Sequence, residues 1–333
     1  MTERRETDRP SETFVDGERI AKYLASAGVA SRRDVEKMIA EGRVTVDGWK
    51  LDTPAFKVTG AEKILVDGRA ISRPDPTRLW RYHKPAGLVT TNRDPDGRPT
   101  IFEALPKSLP RVVTIGRLDL NTEGLLLLTN DGELARGLEL PATGLERKYR
   151  ARAYGRAEQR DLDKLRDGIV YEGVEYRSII ARVDRVTGSN SWIDITLTEG
   201  KKREARRALE SLGLKVNRLI RVTYGPFQLD DLGPGAVEEV SAAELLAEFS
   251  ELISERRRPE PFTKRTVDRA RPEDKPQGKA RRSDHKTRGQ KPQGAKHHDQ
   301  KQPNKGRRPD NARPAHSGKR HTGKPVRRKP PTS

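Results

Sequence analysis

The 333-residue sequence contains no cysteine, which excludes disulfides, thiolate nucleophiles and cysteine-ligated metal sites. Histidine is almost as scarce: His83 stands alone ahead of residue 285, and His285, His297, His298, His316 and His321 all follow it. A Ser-His-Asp triad or a multi-histidine metal centre therefore lacks its parts. Apolar residues make up only 32% of the chain and aromatic residues 5%. That is too little for a chain that packs throughout, so part of it is expected not to fold. No apolar run approaches the roughly 20 residues of a bilayer-crossing helix. The opening MTERRETDRPSET has no apolar core of the signal-peptide kind. A cytoplasmic protein that needs no membrane is the expectation.

Charge is abundant and unevenly placed. From Arg256 to the end there are 26 lysines and arginines against 7 acids, an excess equal to the net charge of the whole chain, +19. Residues 1–255 are thus neutral overall. A polycationic segment gains affinity for nucleic acid by releasing condensed counterions, without reading sequence. A solubilising or membrane-surface role is the duller alternative, but the segment has few apolar anchors.

Four regions follow from the pattern. Residues 1–16 read as a disordered leader. Residues 17–76 form a small unit, in which Ile20, Tyr23 and Leu24, then Val35, Met38 and Ile39, fall at helical spacing. Ser31 is suited to cap the second helix with Asp34. Val44–Val46 and Ile64–Val66 read as strands running into Asp-Gly turns. Lys22, Arg32, Arg33, Lys37 and Arg43 cluster around the helix-turn-helix, as a phosphate-binding surface would. After the Arg73-Pro74-Asp75-Pro76 linker, residues 77–255 form a second domain. Strand signals dominate there, at residues 79–83, 111–115, 148–154, 178–186, 192–198 and 219–222. Helices are expected at 101–105, 160–168, 201–212 and 242–253. Few crossovers have room for a full helix, so the sheet is expected to be mixed or antiparallel. Residues 256–333 are rich in Lys, Arg, Pro, Gly and Gln, and are expected to be disordered.

The segment most suggestive of chemistry is GRLDLNTEGLLLLTNDGELA, residues 116–135. A strand feeds Gly116, Asp119 sits in a tight polar loop, and the four leucines anchor that loop from behind as a buried strand or helix start. A reacting carboxylate needs such rigid support, because small displacements cost rate. On composition alone Asp119 reads more readily as a turn former or helix cap.

This motif, with ERIAKYLASAGVASRRDVEKMIAEGRVTVDG, KPAGLVTT and RVTYGPFQL in that order, resembles the ribosomal small-uridine pseudouridine synthase family. The first unit resembles the S4 RNA-binding module that such enzymes carry. The resemblance implies an α+β protein: an S4-like αβ module, then a catalytic domain with a mixed, largely antiparallel sheet and flanking helices. It makes Asp119 the catalytic aspartate and Tyr149 the active-site tyrosine. Arg206 becomes the basic partner of the aspartate and Leu219 the apolar lining. The helix motif EGKKREARRA departs from the family at Lys202, Glu204 and Ala205.

The implied reaction isomerises a uridine of ribosomal RNA, 23S in preference to 16S, within a pre-ribosomal particle. A monomer is implied, and no cofactor, because nothing is oxidised and no group enters from outside. The carboxylate can attack the ribose C1′ or remove the neighbouring sugar proton. An arginine can pair with it and stay charged, and a tyrosine ring is a platform for a freed uracil. The target base has to leave its stack, and Arg117, Arg203 and Arg207 are candidates for the flanking phosphates. A rival from another class is a non-catalytic ribosome-assembly protein that keeps the fold. Removing everything beyond Ile253 is expected to preserve target choice, weaken RNA binding and flatten its salt dependence. RNA titrations over a range of salt, on long and short chains, measure this.

Overall fold

Two amphipathic helices and two Asp-Gly turns build the first unit, as the spacing predicts. The computed structural model of the chain describes residues 17–261 and the backbone of residues 267–268. The expected leader, and the expected tail beyond Pro261 apart from that dipeptide, lie outside the described residues. Helices α1 (Ile20–Ser26) and α2 (Arg32–Ala40) bury Ile20, Leu24, Val35 and Ile39 in one core. Ser31 caps α2: its Oγ accepts the Asp34 N–H at 3.2 Å and donates to Asp34 Oδ2 at 2.6 Å. Strands β1 (Val44–Val46) and β2 (Ile64–Val66) pair antiparallel. Each continues through a turn with positive φ at both central residues, Asp47-Gly48 and Asp67-Gly68. Only Gly, Asn and Asp adopt that geometry cheaply.

The second unit is one ten-stranded sheet. In chain order its main elements are β3 (Leu79–Lys84), β4 (Val113–Ile115), β5 (Thr122–Thr129), α3 (Gly132–Glu139) and β6 (Arg147–Tyr154). Then come β7 (Ile180–Thr187), β8 (Asn190–Leu197), α4 (Glu204–Glu210), β9 (Lys215–Tyr224), β10 (Val237–Glu239) and α5 (Ala242–Phe249). The strand order is β7-β8-β6-β9-β5-β3-β10 and on to Val267–Asp268, with β4 beside β5 and Phe227–Gln228 beside β9. Among these pairs only β9–β5 is parallel, through Leu219–Thr122, Ile220–Glu123 and Arg221–Gly124. The sheet is mixed and largely antiparallel, as expected.

The leucine run is a strand. Leu125 to Leu128 are fully buried, because β5 is covered on both faces. Leu125 and Leu127 pack with Leu134 and Leu138 of α3 and with Leu245 and Phe249 of α5. Leu126 and Leu128 pack with Trp80, Tyr82, Ile101 and Leu118. A third core joins Ala151, Ile193 and Ile195 to Ala205, Ala208 and Leu209 of α4.

Several expectations need correcting. Strand β9 runs for ten residues, not the four at 219–222, because Lys215, Asn217 and Arg218 obscure its apolar alternation. Helix α4 begins at Glu204 rather than Lys201, since Arg203 before it holds a left-handed φ of 57°. A small hairpin, Ile169–Tyr171 with Val174–Tyr176, carried no recognised signal beyond Glu172-Gly173 at its turn.

The tail boundary at Arg256 also falls too early. Arg257 is buried and donates to Asp75 O from both Nε (3.1 Å) and Nη2 (3.0 Å), and to Asn130 O at 3.3 Å. Its Nη1 lies 3.4 Å from Asp131 Oδ2, a carboxylate that also caps α3 and accepts Thr77 Oγ1–H. The chain after α5 thus closes over the linker between the two units. Replacing Arg257 by alanine leaves Asp131 buried without its cation, and is expected to destabilise the protein by about 3 kcal/mol. A cut after Ile253 does the same, whereas a cut after Asp268, which keeps the strand paired with β10, does not. Urea unfolding of the three variants beside the full chain checks this, and the second cut is the one for testing the tail.

Candidate active site

Residues 116–121 leave β4, turn at Gly116 (φ 69°) and enter β5. Their backbone is held from several sides. The Lys84 ammonium, fully buried, donates to Leu120 O (3.3 Å), Thr122 O (3.0 Å) and Pro85 O (3.0 Å). Gly87 N–H reaches Leu120 O at 2.8 Å, and Thr90 Oγ1 donates to Leu118 O at 2.9 Å. Arg206 Nη2 donates to Asn121 O at 2.9 Å. Thr122 N–H closes a turn onto Asp119 O at 3.0 Å, while the Leu118 side chain is anchored in the core. The loop is fixed through its carbonyls. Asp119 is half-buried, and among the described residues its carboxylate accepts no hydrogen bond and forms no ion pair.

Two buried cations face that carboxylate at longer range. Burial pushes the Lys84 ammonium down to about 8, against the upward pull of Asp119 and Glu123. Burial also lowers Arg206, and Arg203 adds to this, while Asp119 favours its charged form. Lys84, Gly124, Arg221 and Tyr149 lie side by side on β3, β5, β9 and β6. Gly124 cannot carry a side chain, because a Cβ there would lie 2.2 Å from the Arg221 carbonyl oxygen. Tyr149 is partly buried and packs against two cores, one of which contains Leu118.

The sequence pattern of RNA pseudouridylate synthases matches residues 78–211, and that of the S4 domain residues 18–64. An uncharacterized RNA pseudouridine synthase of Rickettsia felis is 48% identical over 227 residues, covering 67% of this chain and 97% of that one. The chain belongs to the RNA pseudouridine synthase family. Ribosomal large subunit pseudouridine synthase B of Pasteurella multocida is 42% identical over 235 residues, or 68% of each chain. A crystal structure of a pseudouridylate synthase aligns with a TM-score of 0.48 and 24% identity, over 71% of this chain and 99% of that one.

Within this synthase the expected site residues have unequal placements. Asp119, Tyr149 and Arg206 come to one region of the sheet, but the expected Arg206–Asp119 ion pair is not formed within 4.0 Å. The guanidinium is engaged elsewhere, with Val216 O (3.2 Å), Asn121 O and Thr122 Oγ1 (3.5 Å). It therefore holds the loop rather than the carboxylate. Leu219 is 3% exposed and lies between Ala151 and Thr122 in the sheet. Arg117 is exposed. Arg203 is exposed against Glu210 at 3.4 Å, and Arg207 is tied to Tyr176 Oη (3.1 Å) and Glu172 (3.6 Å).

In the S4 module Arg32, Arg33 and Lys37 are exposed on α2. Lys22 is instead bound to Glu133 at 2.5 Å and Glu18 at 3.3 Å, and Arg43 to Asp67 at 2.7 Å. Lys37 also lies 3.8 Å from Glu41, so among the described residues only Arg32 and Arg33 of the expected cluster form no ion pair. Sequence reasoning gave no role of their own to Lys84, Thr90 and Arg221, although they lie in the KPAGLVTT and RVTYGPFQL stretches. Its place at the end of a strand, directly before proline, was the available signal for Lys84.

Glu204, one of the departures from the family motif, is 3% exposed. Its Oε2 accepts Lys201 N–H at 3.0 Å, and its Oε1 is buried without a partner. Burial, and then Glu199, push its carboxyl up to about 7; Lys201 and Arg147 pull the other way. From an ordinary value of 4.5 up to about 7, the native chain keeps a proton that the unfolded chain has lost. Glu204 therefore costs nothing at low pH, and its cost grows through that window and levels off above it. Glu204→Gln is expected to raise stability by on the order of 2 kcal/mol at pH 8 and by much less at pH 5. Denaturant midpoints at the two pH values measure it, and an equal gain at both would refute the account.

Proposed function

We propose that this enzyme converts one uridine of ribosomal RNA, in the 23S molecule of a pre-ribosomal particle, to pseudouridine, with Asp119 as the attacking group. One observation carries the reading. A carboxylate with no protein partner among the described residues stands on a loop whose backbone is fixed by Lys84, Thr90 and Arg206. A group held this way is preorganised for an incoming atom, so little ordering remains for the reaction itself. The large-subunit assignment is supported by the relatives from Pasteurella multocida and Yersinia pestis, each named ribosomal large subunit pseudouridine synthase B.

In this reading the flipped uridine enters beside Tyr149. Asp119 attacks C1′, or takes the neighbouring sugar proton, and the C1′–N1 bond breaks. The uracil turns on the Tyr149 ring and C5 bonds to C1′, displacing the Asp119 carboxylate or, on the second route, as Asp119 returns the proton to the sugar. The C5 proton is lost and N1 recovers one, so the atoms balance without a cofactor. Lys84 and Arg206 supply positive potential beside the carboxylate while fixing the loop that carries it. Arg117 and Arg203, both exposed, meet flanking phosphates, and Arg32, Arg33 and Lys37 of the S4 module dock a more distant segment. Arg207 and Leu219 act mainly by holding the walls of the site.

Asp119→Asn is expected to keep the fold and RNA affinity while slowing pseudouridine formation by at least about 1,000-fold. Mapping pseudouridine in 23S and 16S transcripts after incubation with each protein tests this. Modification of 16S alone would move the substrate, and modification of neither by the unaltered protein would favour an assembly factor.

A further inference from the structure

Strand β6 reads Lys-Tyr-Arg-Ala-Arg-Ala-Tyr from residue 148. Ala151 and Ala153 are buried toward α4, while Arg152 is exposed and Tyr154 is 57% exposed on the other side. That open side continues onto β8, β7 and the start of β9. The register places Arg218, Arg152, Trp192 and Arg185 in one row across four neighbouring strands. Two guanidiniums lie over the Trp192 ring, Arg150 at 5.4 Å and Arg185 at 5.7 Å from its centroid. Stacking on the indole holds these arginines in place, so less of their freedom remains to be lost on binding.

Carboxylates occupy only part of the face. Asp184 and Asp194 hold Arg150, Glu123 holds Arg218 at 2.9 Å, and Glu146 lies 3.5 Å from Lys148. Arg152, Arg182, Arg185 and Lys215 are exposed, and among the described residues none has a carboxylate within 4.0 Å. Arg152 and Arg218 are direct cross-strand neighbours, an arrangement that like charges disfavour; Glu123 offsets Arg218, and Arg152 is left to an outside anion. Four strands span about 14 Å, and residues 148–154 about 20 Å, which is room for a run of phosphates.

We propose that this face is a second RNA-docking surface, holding part of the substrate's sugar-phosphate backbone on the side of the sheet away from α4. The proposal rests on the reading of the substrate as RNA. A second copy of the chain or its own polycationic segment would bring positive charge to positive charge, so neither suits the face. Recognition here is of phosphate and carries no sequence information. It adds affinity, and leaves the choice of uridine to the cleft.

The test uses the full-length protein with Arg152→Ala, Arg182→Ala and Arg185→Ala combined, and a 23S rRNA transcript as probe. Affinity at 150 mM salt is expected to fall at least about tenfold, and the slope of log K against log[salt] to drop by about 2. Turnover at saturating RNA is expected to stay unchanged, and lysines at the three positions to restore affinity and slope. Unchanged affinity and slope would overturn the proposal and leave the face to an acidic protein or to solvent. A fall in affinity with an unchanged slope, or one that lysine does not restore, would overturn it too, since it would mark lost structure rather than lost phosphate contact. Binding is measured apart from catalysis, so a wild-type protein that binds but makes no pseudouridine sinks the catalytic reading alone.

Discussion

A single ammonium group, sealed from water and ringed by carbonyl oxygens, is what the site is built around. Lys84 leaves β3 at the point where the Asp119 loop passes over it, and its three donors go to Pro85, Leu120 and Thr122. Those carbonyls, turned inward and left alone, would each cost free energy as buried acceptors. With the cation present they become the loop's reason for taking its shape. The same charge also sits near Asp119 and Glu123, so one residue provides both form and field. Arg206 repeats the device from the other flank, again through backbone oxygens. The loop is specified by cations bonding to main chain, which leaves the aspartate side chain free of structural duties.

Much of this architecture could be read from the residues. The Ser31–Asp34 cap, both Asp-Gly turns and the burial of the leucine run follow from local rules, though those rules left strand and helix open for the leucines. What stayed hidden was charge placed against expectation. Lysine and arginine are almost never fully buried without partners, so Lys84 and Arg221 look like surface residues until the fold brings carbonyls to them. Strand β9 was under-read for a related reason, since its first half faces solvent with polar side chains on both parities. The resemblance brought Arg206 to the Asp119 loop but gave it the carboxylate as partner, and only geometry tells that it bonds backbone instead.

The neutral body and the basic end of the chain also prove less separable than composition suggests. Arg257 belongs to the charge-rich segment by sequence and to the folded core by burial. Its bonds to Asp75, Asn130 and Asp131 tie the linker, the start of α3 and the chain beyond α5 into one node. Composition marks where a chain stops being able to form a core on its own. It does not mark where an existing core stops recruiting chain.

The one parallel contact in the main sheet has a further consequence. Three residue pairs between β9 and β5 join the half that carries Tyr149 to the half that carries Asp119, and the loop sits directly at that seam. Parting the seam would draw Tyr149 and Arg206 away from the carboxylate, which stays with β3 and β5. If Asp119 is the reacting group, as proposed, such an enzyme would fall silent at the first breathing of its middle, while helices and hairpins on either side still stood.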